Sequence, residues 1–130
     1  MSAGVSATNN ASTAVLLIAH GSRRPEANDD LVRLAELVRA RSSYLCVEVS
    51  YLELSEPTIS CGGGRCVEQG AREVLMLPYF LSAGRHVTDD LTTFREELAA
   101  THPGVAFRLC APIGLHPLIV DVVLDRLSEA

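Results

Sequence analysis

Four short apolar runs suited to β-strands alternate with four segments whose apolar residues recur at helical spacing. That alternation argues for a parallel sheet joined by crossover helices. The strand candidates are Ala14 to Ala19, Tyr44 to Leu52, Val74 to Phe80 and Val105 to Ala111. A first helix is expected to start near Pro25, a residue suited to the first helical position, with Leu31, Leu34, Ala35 and Val38 on one face. A third helix follows His86 and carries Leu91, Phe94 and Leu98, and a fourth begins at Pro117 and is expected to bury Val120, Val123, Leu124 and Leu127. The second, Pro57 to Gly70, contains CGGGRC. Three consecutive glycines cost roughly 2 to 3 kcal/mol of helix propensity relative to alanine, so this segment is expected to be frayed, kinked or partly loop.

Strand chemistry also suggests an order. AVLLIA and VLML are continuously apolar, as in strands covered on both faces, whereas LCVEVSYL and VAFRLCA alternate and expose one row. The first and third strands are therefore expected at the centre and the second and fourth at the edges. Right-handed crossovers then give the order 2-1-3-4, the core of a three-layer αβα, flavodoxin-like doubly wound sheet. Such sheets bind ligands beyond the carboxyl ends of the strands, at the switch point between strands one and three.

Three side chains fall at that rim. His20 follows the first strand in AHGSR, Glu53 follows the second in YLELSEP, and His86 follows the third in SAGRH; 33 residues separate each from the next. That interval is about one strand-plus-helix unit of roughly 30 residues. Two imidazoles and a carboxylate at one edge can hold a divalent transition metal or move protons, and the spacing leaves both roles open.

Basic residues gather nearby. All eleven cationic side chains are arginine, whose planar fork grips carboxylates in a way lysine does not. Arg23, Arg24 and Arg85 lie beside the two histidines and are candidates for an acidic substrate, and Ser22 in HGSRRP stands before a helix amino terminus that favours anions. His116, just before Pro117, is expected to cap or pack the fourth helix, with substrate contact possible from the same rim. Cys61 and Cys66 have four residues between them, not the spacing of a zinc knuckle or thioredoxin-like pair, and His102 in THPG reads as a helix terminator.

Composition excludes other classes. A net charge of −5 with no basic run argues against nucleic acid as partner. No apolar run reaches the roughly 18 residues of a membrane span, so no membrane association is expected. The opening thirteen residues, MSAGVSATNNAST, have neither the basic start nor the apolar stretch of a signal peptide and are expected to be a disordered tail (1–13) ahead of one domain, 14–130. Four cysteines without a secretory signal suggest reduced thiols and a cytoplasmic location.

AHGSR, YLELSEP, PYFLSAGRHVTDDL and PIGLHP together resemble the small sirohydrochlorin chelatases of the CbiX and SirB type over Ala14 to Ser128. The resemblance implies a chelatase-like fold and insertion of Co²⁺ or Fe²⁺, with Ni²⁺ a further option, into sirohydrochlorin on the routes to cobalamin or siroheme. It implies His20, His86 and Glu53 as catalytic and metal-handling residues, no permanent cofactor, and a homodimer standing in for the two domains of longer members. Two departures stand out: Asp90 is followed by Leu91 and Thr92 where the family commonly has Ile-Pro, and CGGGRC replaces ordinary helix. An alternative is a noncatalytic metal- or tetrapyrrole-binding carrier of the same fold. A histidine phosphatase is a weaker option, since no Arg directly precedes His20-Gly21.

Overall fold

In the computed structural model, which describes residues 10–130, strands β1 (Thr13–Ala19), β2 (Cys46–Tyr51), β3 (Glu73–Pro78) and β4 (Ala106–Leu109) alternate with helices α1 (Pro25–Ala40), α2 (Ile59–Glu68), α3 (Arg85–Thr101) and α4 (Pro117–Ser128). The strands form one parallel sheet in the order β2-β1-β3-β4. This is the expected order. The expected tail falls mostly on residues 1–9, outside the described residues, but Thr13 opens β1 and the Ser12 carbonyl accepts a hydrogen bond from the Arg72 amide at 2.8 Å.

The continuously apolar β1 feeds two cores at once, because successive side chains point to opposite faces of a sheet. Ala14, Leu16 and Ile18 pack with Ile59, Cys66, Val74, Met76, Leu91, Leu98 and Phe107 on the side of α2 and α3. Val15 and Leu17 pack with Leu31, Ala35, Val47 and Tyr51 on the side of α1. All four cysteines are free; Cys46 and Cys66 are buried, and burial pushes the Cys66 thiol up, so it stays protonated and inert.

Three expectations need correcting. The triple glycine does not break α2, which is helical throughout from its Thr58 N-cap, whose hydroxyl accepts from the Cys61 amide at 3.1 Å. Two of the glycines are there for close packing: a Cβ on Gly62 would lie 2.8 Å from Leu16 Cδ1, and one on Gly63 would lie 2.7 Å from Leu98 Cδ2. Gly64 faces open space. Gly64→Ala is therefore expected to stabilise the protein by about 0.5–1 kcal/mol through helix propensity. Gly62→Ala should destabilise it by about 1–3 kcal/mol through overpacking. Urea denaturation midpoints of the two variants test the contrast, and equal shifts would contradict it.

The other corrections concern one face of the sheet. β3 is central, yet only Val74, Met76 and Pro78 are buried, while Leu75 and Leu77 are half-buried. The last helix was expected to bury Val120, Val123, Leu124 and Leu127, but they are 57%, 49%, 58% and 66% exposed. Helical periodicity identifies an apolar face that needs covering without saying which surface covers it. Here α4 does not lie on its own sheet.

Candidate functional site

The site lies where β1 and β2 end. Parallel pairing continues past both strands: the Leu52 amide donates to the Ala19 carbonyl at 2.8 Å, and the Glu53 amide donates to the His20 carbonyl at 3.0 Å. The two loops that carry His20 and Glu53 therefore run side by side.

Gly21 permits that approach. Its φ is +97°, and a Cβ there would sit 1.8 Å from the Glu53 carbonyl oxygen. Asn28, in the second turn of α1, locks the arrangement from outside. Its amide nitrogen donates to the Ser22 carbonyl at 2.8 Å and to Ser55 Oγ at 2.7 Å, while its oxygen accepts from the Ser22 amide at 3.1 Å. Ser55 Oγ in turn donates to the Ser22 carbonyl at 2.6 Å. Tyr51 fixes Asn28's own backbone by donating its hydroxyl to the Asn28 carbonyl at 3.0 Å. Burial raises the phenol's pKa, with the Asp29 charge adding to the effect, so Tyr51 holds its donor proton.

A cavity of about 430 Å³ opens against these loops, within the usual range of small-molecule sites. His20, Leu52 and Glu53 form one wall, and Val87, Asp90, Thr93, Phe94 and Glu97 of α3 form the other. The α3 residues recur at three and four positions, the spacing of one helix face. The cavity thus combines one imidazole and three carboxylates with an apolar surface from Leu52, Val87 and Phe94. None of the ion pairs among the described residues engages His20, Glu53, Asp90 or Glu97. Uncompensated carboxylates in a concave site attract cations.

The expected residues distribute unevenly around this cavity. His20 and Glu53 line it together, and the His20 ring lies 4.3 Å from the Phe80 ring, tilted by 32°. His86 is exposed in the first turn of α3, four residues before Asp90, and is absent from the lining. Among the described residues no three His, Cys, Asp or Glu side chains are gathered closely enough to hold a metal ion. A single copy therefore presents no closed metal cage.

Arg23, Arg24 and Arg85 are exposed, and no ion pair engages them among the described residues. Ser22 Oγ accepts from the Arg24 amide at 3.1 Å, which leaves its proton free to donate. His116 caps α4, its Nδ1 accepting from the Leu118 amide at 3.1 Å, and lines a separate apolar cavity with Leu77 and Ile113. Asp90 and Glu97 were not foreseen as cavity residues, although their spacing from His86 on a helix carried the signal. Nothing in the local sequence marked Asn28.

Comparison with known proteins follows the same lines. The CbiX family model matches residues 14–130. The chain is 36% identical over 115 residues to the chloroplastic sirohydrochlorin ferrochelatase of Arabidopsis thaliana, covering 88% of this chain and 51% of that protein. It is 31% identical over 137 residues to the sirohydrochlorin cobaltochelatase of Methanocaldococcus jannaschii, covering 87% of this chain and 96% of that protein. The crystal structure of the sirohydrochlorin chelatase SirB from Bacillus subtilis subspecies spizizenii in complex with cobalt superposes with a TM-score of 0.84 at 31% identity, over 91% of this chain and 50% of that one. The chain thus spans about half the length of the Arabidopsis and Bacillus proteins and nearly all of the Methanocaldococcus one.

Proposed function

The chain belongs to the CbiX family, and on that premise we propose that it is a sirohydrochlorin chelatase that inserts Co²⁺ or Fe²⁺ into sirohydrochlorin. The observation that carries this reading is the rim cavity lined by His20 and Glu53 on one wall and by Asp90 and Glu97 on the other, with Leu52, Val87 and Phe94 as its apolar surface. Insertion exchanges one divalent ion for two pyrrole N–H protons, so a competent site must attract a hydrated cation, strip water from it and accept protons. The carboxylates supply the attraction. Neutral His20 accepts a pyrrole proton or takes a coordination position on the incoming ion, and Glu53 balances charge or passes protons to solvent. His86, at the first turn of α3, receives the metal on its way into the cavity.

Substrate recognition falls to the arginines. Sirohydrochlorin bears many carboxylates, and Arg23, Arg24 and Arg85 form charge-assisted hydrogen bonds with them, joined by Ser22 and His116 at the same rim. Arg85→Ala is expected to raise KM for sirohydrochlorin about 5- to 20-fold, since a charged hydrogen bond contributes about 1.5–3 kcal/mol when formed and less at an exposed site. Its kcat should stay within about twofold, because the contact is made equally in ground and transition states. Steady-state kinetics with varied tetrapyrrole would contradict this if kcat fell and KM did not move.

Residues 14–130 act as one chelatase domain, with no permanent cofactor, and two copies associate to enclose a macrocycle too wide for one cavity. Free thiols fit a cytoplasmic setting, and among the described residues no helix is long and apolar enough to cross a membrane. The direct test follows the absorption spectrum of sirohydrochlorin with Co²⁺ or Fe²⁺, with and without the protein. Insertion well above the protein-free rate with at least one of the two ions is expected. A rate equal to the protein-free control with both would refute the assignment.

A further inference from the structure

Phe80 reaches the rim as part of the core and not of the cavity. The parallel register pairs Ile18 with Pro78, and it continues past β3, where the Tyr79 amide donates to the Ile18 carbonyl at 2.7 Å. Continued one residue further, it brings Phe80 level with His20. Phe80 is only 6% exposed and belongs to the core cluster that contains Ile18, Met76 and Leu91. It does not line the cavity that holds His20 and Glu53.

His20 is restrained in its backbone but not in its ring. Its carbonyl accepts from the Glu53 amide at 3.0 Å, while the imidazole is exposed and makes no hydrogen bond among the described residues. A histidine that binds metal or moves protons is usually oriented by a hydrogen bond on its second nitrogen, which also fixes the tautomer. Here the imidazole instead meets the Phe80 ring, with centroids 4.3 Å apart and planes tilted by 32°. That is a tilted stack at the short end of aromatic pair distances. Phe80 is itself held by close-packed neighbours, so it offers a fixed surface.

We propose that Phe80 is the positioning residue of His20, holding the plane of the imidazole by ring contact in place of the usual hydrogen bond. The two modes differ in their chemical consequence. A hydrogen-bonded partner occupies one nitrogen, whereas a stacked ring occupies neither. His20 can therefore accept a pyrrole proton or meet the ion at one nitrogen while the other exchanges a proton with water. The inference deepens the chelatase reading and rests on it for its effect on rate; its effect on the ring stands on the contact alone.

Phe80→Leu on the full chain tests it, because leucine keeps most of the apolar volume and removes the ring; Phe80→Met serves the same purpose if the leucine variant does not fold, and circular dichroism checks each. The kcat for insertion is expected to fall about 5- to 15-fold, the rate equivalent of one aromatic pair, with KM for sirohydrochlorin within about twofold. In a His20→Ala background the same substitution should change the residual rate by less than about twofold, since there is no imidazole left to position. Equal losses in the two backgrounds, or an unchanged kcat in folded Phe80→Leu, would overturn the proposal. Carbon-13 relaxation of the labelled His20 ring, assigned by comparison with His20→Ala, reads the orientation without turnover. Its order parameter is expected to drop by about a third in Phe80→Leu. A ring equally ordered in both proteins would overturn the positioning role, whereas a wild type with no insertion activity but a Phe80-dependent ring would overturn the chelatase reading alone.

Discussion

Gly21→Ala is expected to disable the protein more completely than any other single methyl group added at the rim. The residue adopts φ +97°, a region that L side chains rarely enter, and the new Cβ would lie 1.8 Å from the Glu53 carbonyl oxygen and 3.2 Å from Tyr51 Cβ. The obstacle is backbone, so no rotamer change relieves it. The His20 and Glu53 loops must part, which breaks the hydrogen bond from the Glu53 amide to the His20 carbonyl and strains the Asn28 bridge. A stability loss of about 2–4 kcal/mol follows from the strained φ and the overpacking together. Insertion activity should fall at least ~100-fold, since displacement of catalytic groups by about 1 Å is enough for that loss. Denaturation midpoints and initial insertion rates on the same preparation check the two effects. Near-wild-type values of both would contradict the geometry of the loop pair.

The second large effect is chemical. His20→Ala removes the cavity's one imidazole while the fold remains, because the side chain is exposed and makes no hydrogen bond among the described residues; its contact is with the Phe80 ring. Stability should change by no more than about 1 kcal/mol. The insertion rate should fall by about 10²- to 10⁴-fold, the range for loss of a positioned proton acceptor. A folded His20→Ala protein with undiminished activity would remove His20 from the mechanism. His86→Ala is expected to weaken the apparent affinity for metal more than the maximal rate, since His86 is outside the cavity lining.

The sheet was legible because its informative residues act locally. AVLLIA is apolar on both faces and so had to be central, and the alternation in VAFRLCA had to mark an edge. His20 and Glu53 were legible as neighbours because strand ends in a parallel sheet share one rim. What the residues did not disclose depends on surfaces meeting. Gly62 and Gly63 read as helix breakers, and only the proximity of Leu16 and Leu98 shows them to be packing residues. Asp90 and Glu97 belong to the polar pattern of an amphipathic helix until Glu53 is seen opposite them. Asn28 resembles an unremarkable polar residue near a helix start, yet its amide joins the Ser22 and Ser55 loops, which are 33 positions apart. The apolar face of α4 was read as core, and the covering surface could not be deduced from periodicity.

Chelation and mere carriage use the same ligands, and they differ in whether the site is vacated after each event. The decisive quantity is the number of metallated tetrapyrroles formed per polypeptide. With sirohydrochlorin and Co²⁺ or Fe²⁺ in large excess over protein, the spectrum of the metallated product should keep growing to many equivalents per chain at a rate proportional to protein concentration. A rise that stops at about one equivalent per chain, or per pair of chains, would identify a carrier and contradict catalysis at the rim cavity.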